Sequence, residues 1–184
     1  MRNPIIFVGL FLGLGCSPIL GQGSLWSPPD KSFTIQVPQN LKADDSYGEE
    51  SEPNAVKTFV ATWKKKAFLV MILKYSNYCA TSTKEKFDGL FFVIGGDDDD
   101  DLTETAIKVE GLPARQVLYN KRPNKGVFID AGDTVYVLGF ASEEKKDRNS
   151  NSVRKFFDSF KLTRTAKASS HSACSSLKKL PSKI

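Results

Sequence analysis

Along residues 57–140 the apolar residues come in short runs separated by tight polar turns, a spacing that makes successive runs antiparallel neighbours. Residues 57–63 read as a strand, Lys64, Lys65 and Lys66 as a polar turn, and residues 67–75 as the returning strand. Glu110, Gly111, Leu112 and Pro113 mark a turn between strands at 105–109 and 115–119. Ala131, Gly132 and Asp133 separate strands at 126–130 and 134–140 as a third hairpin. Upstream, Phe33, Ile35 and Val37 alternate with Thr34 and Gln36 until Pro38 ends the run, the period-two signature of a half-buried strand.

Two segments carry helical spacing instead. Thr81 or Ser82 can cap a helix reaching to about Ile94, with Phe87, Leu90 and Phe91 on one face. Asn151 or Ser152 precedes Val153, Phe156, Phe157 and Phe160, spaced i, i+3, i+4, i+7. Strands joined by hairpins and interspersed with two amphipathic helices predict an α+β fold, a mainly antiparallel sheet covered by helices.

Residues 1–23 read as a signal sequence. Arg2 precedes the uncharged run Ile5, Ile6, Phe7, Val8, Gly9, Leu10, Phe11, Leu12, Gly13 and Leu14. A membrane-spanning helix needs roughly 20 consecutive apolar residues, and Pro18, Gly21, Gln22 and Gly23 interrupt this one soon after Leu14. Two processing routes compete. Leu12, Gly13, Leu14 and Gly15 before Cys16 resemble a bacterial lipobox, although Gly13 stands three residues before the cysteine where leucine is favoured; ordinary cleavage after Gly21 or Gly23 is the alternative. Lipidation of Cys16 would hold a soluble domain at a membrane surface.

Removing this segment leaves enough chain for one domain with a real core, at 24–162. The net charge of +5 belongs to the end of the chain: Lys161, Arg164, Lys167, Lys178, Lys179 and Lys183 follow Asp158, the last acidic residue. Without those six and Arg2, 19 of the 26 basic residues remain against 21 acidic ones, so the folded part is about −2. Residues 163–184 are rich in Ser, Lys and Ala and lack aromatic residues, a composition that cannot offset chain-ordering entropy and reads as a disordered tail. Its charge suits anionic lipid, cell-wall polymer or nucleic acid, although aromatic stacking partners are missing, and an exported location argues against nucleic acid.

Four stretches in order, Ser32-Phe33-Thr34-Ile35-Gln36-Val37-Pro38, Glu110-Gly111-Leu112-Pro113-Ala114-Arg115, Val135-Tyr136-Val137-Leu138 and Phe156-Phe157-Asp158-Ser159-Phe160-Lys161-Leu162, resemble exported bacterial proteins of the PsbP-like, or Mog/PsbP, fold. The resemblance covers roughly residues 32–162 and implies an antiparallel sheet covered by helices, a Mog/PsbP-like sandwich. It implies little about activity, because members range from a photosystem II extrinsic subunit to a nuclear Ran-binding protein, and a shared fold does not transfer function. The long polar insertion and the aspartate run depart from the family pattern, so no binding residues carry across.

The chemistry available is narrow. The single histidine, His171, lies in the tail, which leaves the domain without an imidazole for a Ser-His-Asp or Cys-His system. Neither zinc-ligand spacing nor a glycine-rich phosphate loop occurs, and no cofactor is implied. Carboxylate-only catalysis needs acids that meet in space, so the sequence leaves it open as the third reading. Asp97, Asp98, Asp99, Asp100 and Asp101, with Glu104 beyond, read first as a solvated loop. As a divalent-metal site the ligands would be Asp97, Asp99, Asp101 and Glu104. Cys79 and Cys174 would form a disulfide in an oxidising compartment, or else stand as a buried and an exposed thiol. Arg115 with Trp63, Tyr75, Tyr78, Tyr119 and Tyr136 could line a binding surface, but core packing and a surface ion pair account for them more simply.

The sequence therefore predicts an exported, non-enzymatic accessory protein that binds another envelope or membrane-associated protein. A small-ligand or divalent-ion module is the alternative.

Overall fold

The computed structural model describes residues 23–38, 41–43, 56–75, 81–88, 90 and 101–163. Ten strands, two α-helices and one 3-10 helix occur among them. The strands are β1 (Ser24–Trp26), β2 (Phe33–Val37), β3 (Lys42–Ala43), β4 (Val56–Trp63), β5 (Lys66–Lys74), β6 (Leu102–Val109), β7 (Leu112–Tyr119), β8 (Lys125–Asp130), β9 (Thr134–Ser142) and β10 (Lys161–Leu162). The helices are α1 (Thr83–Asp88) and α2 (Asn151–Asp158), with the 3-10 helix at Lys145–Asn149.

Seven strands form one sheet in the order β3-β4-β5-β9-β8-β7-β6, and a second sheet runs β1-β2-β10. Every pairing is antiparallel. The three hairpins read from the sequence are present, and two of their turns are tighter than the polar spacers suggested. Lys64 and Lys65 have φ of 49° and 62°, Glu110 and Gly111 of 53° and 83°. Positive φ at both central residues is the type I′ geometry whose twist matches the strands it joins.

The expectation of an α+β sandwich with its sheet covered by helices is overturned. Just over half of the described residues lie in strands and about a sixth in helices, so the fold is β-rich. The reason is one of size. Helices of six and eight residues span roughly 9 and 12 Å at 1.5 Å per residue, whereas seven strands about 4.8 Å apart span roughly 29 Å. Both expected helices are shorter than their apolar spacings: the first ends at Asp88, before Leu90, with Phe91 outside the described residues, and the second ends before Phe160. They are too short to form a layer, and a second sheet does most of that work.

On one face of the large sheet, β2 buries Phe33, Ile35 and Val37 against Phe68, Val70, Leu138 and Ile129. The period-two pattern of β2 reflects this contact, with Gln36 exposed on the other side. From α2 come Val153, Phe156 and Phe157, and just beyond it Phe160 and Leu162. Phe33 meets Phe160 at 5.1 Å and Tyr136 at 5.5 Å between ring centroids, and Phe68 meets Phe156 edge-on at 5.2 Å. Aromatic contacts at such distances contribute beyond their buried area.

On the opposite face a second cluster gathers Met71, Leu73, Val117, Tyr119, Phe128, Val135 and Val137 under Phe87 and Leu90. Ser82 caps α1: its hydroxyl accepts the Glu85 N–H, and Glu85 Oε2 accepts the Ser82 N–H at 2.7 Å. That reciprocal arrangement is a capping box, and it holds the Glu85 carboxyl below its ordinary range, chiefly through the Ser82 backbone N–H.

Candidate functional site

Three places among the described residues could carry function: a buried charged cluster beneath α1, a depression beside α2, and the outer edge of β6.

The cluster beneath α1 joins Lys86 and Asp130, whose side chains are 3% and 7% exposed. Lys86 Nζ donates to Asp130 Oδ1 at 2.9 Å and to the Gly132 carbonyl at 2.8 Å. Thr83 donates its hydroxyl to Asp130 Oδ2, and the Gly132 N–H donates to Oδ1 at 3.0 Å. Tyr75 lies alongside, its hydroxyl donating to the Lys86 carbonyl, and burial with the nearby Asp130 charge pushes its phenol pKa up. Asp130 is thus satisfied on both oxygens by α1 and the β8–β9 turn. The arrangement pins α1 to the sheet and leaves no carboxylate poised for acid–base work. Sequence reading missed it, since a lysine beside the apolar face of a helix looks solvated.

The depression beside α2 encloses about 390 Å³ and is lined by Gln36, Asn151, Arg154, Lys155, Asp158 and Ser159. It is shallow, and its inner hydroxyl is committed: Ser159 Oγ accepts the Gln36 N–H at 2.7 Å and donates to the Phe156 carbonyl. This joint ties α2 to β2.

β6 is different in kind. It pairs with β7 through eight consecutive residue pairs, from Leu102 with Tyr119 to Val109 with Leu112, without a bulge. Among the described residues no strand pairs its other side. The type I′ turn points the Val109 backbone toward β7, and the Asn120 N–H donates to the Asp101 carbonyl at 2.9 Å. Odd-numbered residues of β6 therefore bond β7, and the backbone groups of Leu102, Glu104, Ala106 and Lys108 face outward. Residues 103–106 and Lys108 are exposed on both faces of the sheet. The opposite edge, β3, is two residues long.

Arg115 stiffens this edge from the neighbouring strand. Its guanidinium Nη1 lies 3.2 Å from Glu104 Oε2 and 2.8 Å from Asp88 Oδ1, and it stacks over Phe87 at 5.3 Å. Lys84 first, and then Arg115, hold the Asp88 carboxyl below its ordinary range.

Of the metal candidates, Glu104 is thus engaged by Arg115, and Asp101 uses its backbone carbonyl in the ladder beyond β6. Asp97 and Asp99 lie outside the described residues, as do Cys16, Cys79, Cys174, Tyr78 and His171. No group of three or more His, Cys, Asp or Glu side chains that could hold a metal ion occurs among the described residues. Tyr119 and Tyr136 belong to the core; Trp63 is half-buried at a hairpin end with the Lys64 and Lys66 ammonium groups over its ring. No described helix is long and apolar enough to cross a membrane.

No family model and no curated protein matches the chain. Among solved structures it is similar to a crystal structure of a protein from Bacteroides thetaiotaomicron VPI-5482, at 12% identity and a TM-score of 0.38. The similarity covers 78% of this chain and 49% of that one, so the chain spans about half the length of that protein. A likeness at this level shows neither a shared fold nor a shared activity.

Proposed function

We propose that this is an exported, non-enzymatic protein-binding module whose working interface is the outer edge of β6, which takes up a strand from its partner. The observation that supports this reading most is the unbroken eight-residue register of β6 with its outward backbone groups exposed. A long regular edge is a template for strand addition, and it lacks the proline or bulge by which sheets commonly blunt their edges. Glu104 and Arg115 on one face are already engaged with one another and with Asp88, which favours backbone-directed docking over side-chain chemistry. The export reading rests on residues 1–23.

The test is Ala106→Pro. It removes one outward N–H and spares the β6–β7 ladder, a position where an edge strand tolerates proline. Partner capture from envelope extract should be lost while the melting temperature is kept. Undiminished capture by the folded variant refutes the edge as interface.

A further inference from the structure

The self-complementarity of β6 names its partner. Building on the edge reading above, we infer that the strand it accepts is β6 of a second copy of this chain, related by a two-fold axis perpendicular to the sheet that passes midway between the two Ala106 residues.

The argument is one of register. Outward backbone groups belong to even-numbered residues, so mutually bonded pairs across the axis must join even to even. Centring on Ala106 sets Glu104 opposite Lys108 of the second copy and Lys108 opposite its Glu104. Because even residues share one face of the sheet, both charge pairs form on the side where Arg115 already steadies Glu104. The other face sets Thr105 opposite Ile107 and Thr103 opposite Val109, β-branched pairs that pack well across strands. Three mutually bonded pairs give roughly six backbone hydrogen bonds.

Competing registers are worse. Sliding each copy so that Glu104 meets itself, or Lys108 meets itself, sets like charges face to face. Centring on Ile107 sets Glu104 against Glu110. Centring on Thr105 avoids repulsion but leaves Glu104 opposite Ala106 and Lys108 opposite Leu102. Among registers in which the two strands overlap over most of their length, this one alone matches charge to charge, and a two-fold interface satisfies each pair twice.

Two seven-stranded sheets would then become one of fourteen, with the layers on both faces clear of the seam, since residues 103–106 are exposed on both sides. A seam this narrow buries little area and belongs with transient interfaces, with a Kd on the order of micromolar or weaker.

The experiment is sedimentation of the full chain over concentrations reaching several times that Kd, with charge reversals. Wild type should show a reversible monomer–dimer equilibrium. Lys108→Glu, which makes both cross-axis pairs repulsive, should weaken it by about tenfold or more, as should Glu104→Lys. Mixing Glu104→Lys with Lys108→Glu should restore association as a heterodimer, because every cross-axis pair is then opposite in charge. If Glu104→Lys fails to fold without its Arg115 contact, Lys108→Arg serves with Lys108→Glu: the first keeps both cross-axis charge pairs and should self-associate, and the second should not. A wild type that stays monomeric throughout, or a dimer indifferent to Lys108→Glu, overturns the inference. Extract capture by a monomeric wild type that is lost in Ala106→Pro would overturn self-pairing and leave the edge reading standing; capture undiminished in Ala106→Pro would end both.

Discussion

Replacing Asp130 by alanine should cost far more than the loss of a surface carboxylate. The substitution strips Lys86 of its counter-ion at a position where the ammonium is 3% exposed, and deprives the Thr83 hydroxyl and Gly132 N–H of their acceptor. Breaking a buried pair from one side costs about 3–5 kcal/mol, because the remaining charge stays desolvated. With a urea slope of roughly 2 kcal/mol/M, a loss of about 4 kcal/mol moves the unfolding midpoint down by roughly 2 M. Urea unfolding of the wild type and Asp130→Ala at pH 7, followed by tryptophan fluorescence, measures it. A companion, Lys86→Met with Asp130→Leu, should recover more than half of the loss, since no charge is then left without a partner. A loss below about 1 kcal/mol for Asp130→Ala would show that Lys86 reaches water by a small movement of α1. The pair would then not be the pin described here.

Phe156→Ala should destabilise by about 3–5 kcal/mol, because Phe156 is fully buried and bridges Phe68 and Phe157; a loss under 1 kcal/mol in denaturant unfolding would mean that α2 is not the closing wall of the core. Lys65→Gly should stabilise by a few tenths to about 1 kcal/mol, since glycine occupies the positive φ at no steric cost and the ion pair lost with Glu143 is an exposed one; a lower melting temperature would contradict it. The Lys66 ammonium, followed by the Ser142 hydroxyl, holds the Asp147 carboxyl below its ordinary range. The stability it contributes is therefore present above the ordinary carboxylate pKa and is lost as pH falls through the lower folded value. Lys66→Met should move the NMR titration of Asp147 upward, and an unmoved titration would assign the depression to another group.

The hairpins were legible in the sequence because both strands and the turn of each lie within about twenty residues, so local spacing carries the whole signal. The closing helix was legible for the same reason: Val153, Phe156 and Phe157 mark its buried face within two turns. Sheet membership was not. β2 has the alternation of a strand in the main sheet, but its partners are Ser24–Trp26 and, far along the chain, Lys161–Leu162. Nothing local distinguishes a strand that extends a sheet from one that lies across it, and treating the helices as the covering layer followed from that gap. The buried Lys86 was hidden because its partner stands 44 residues away. In the aspartate run, composition drew attention to ligand chemistry, whereas at Glu104 the decisive fact is a guanidinium on the adjacent strand, set there by the register of Ala106 with Arg115.

Because Thr34 pairs with Lys161 and Phe33 with Leu162, the small sheet joins the second of the described strands to the tenth, more than 120 residues later. A chain emerging residue by residue can assemble β4, β5 and the later hairpins as each is completed, yet β2 must wait for residue 162 before its second neighbour exists. Contacts of such sequence separation close slowly and late. Until they do, β2 carries Phe33, Ile35 and Val37 on a strand with β1 on one side and an unpaired edge on the other, the condition in which strands mispair.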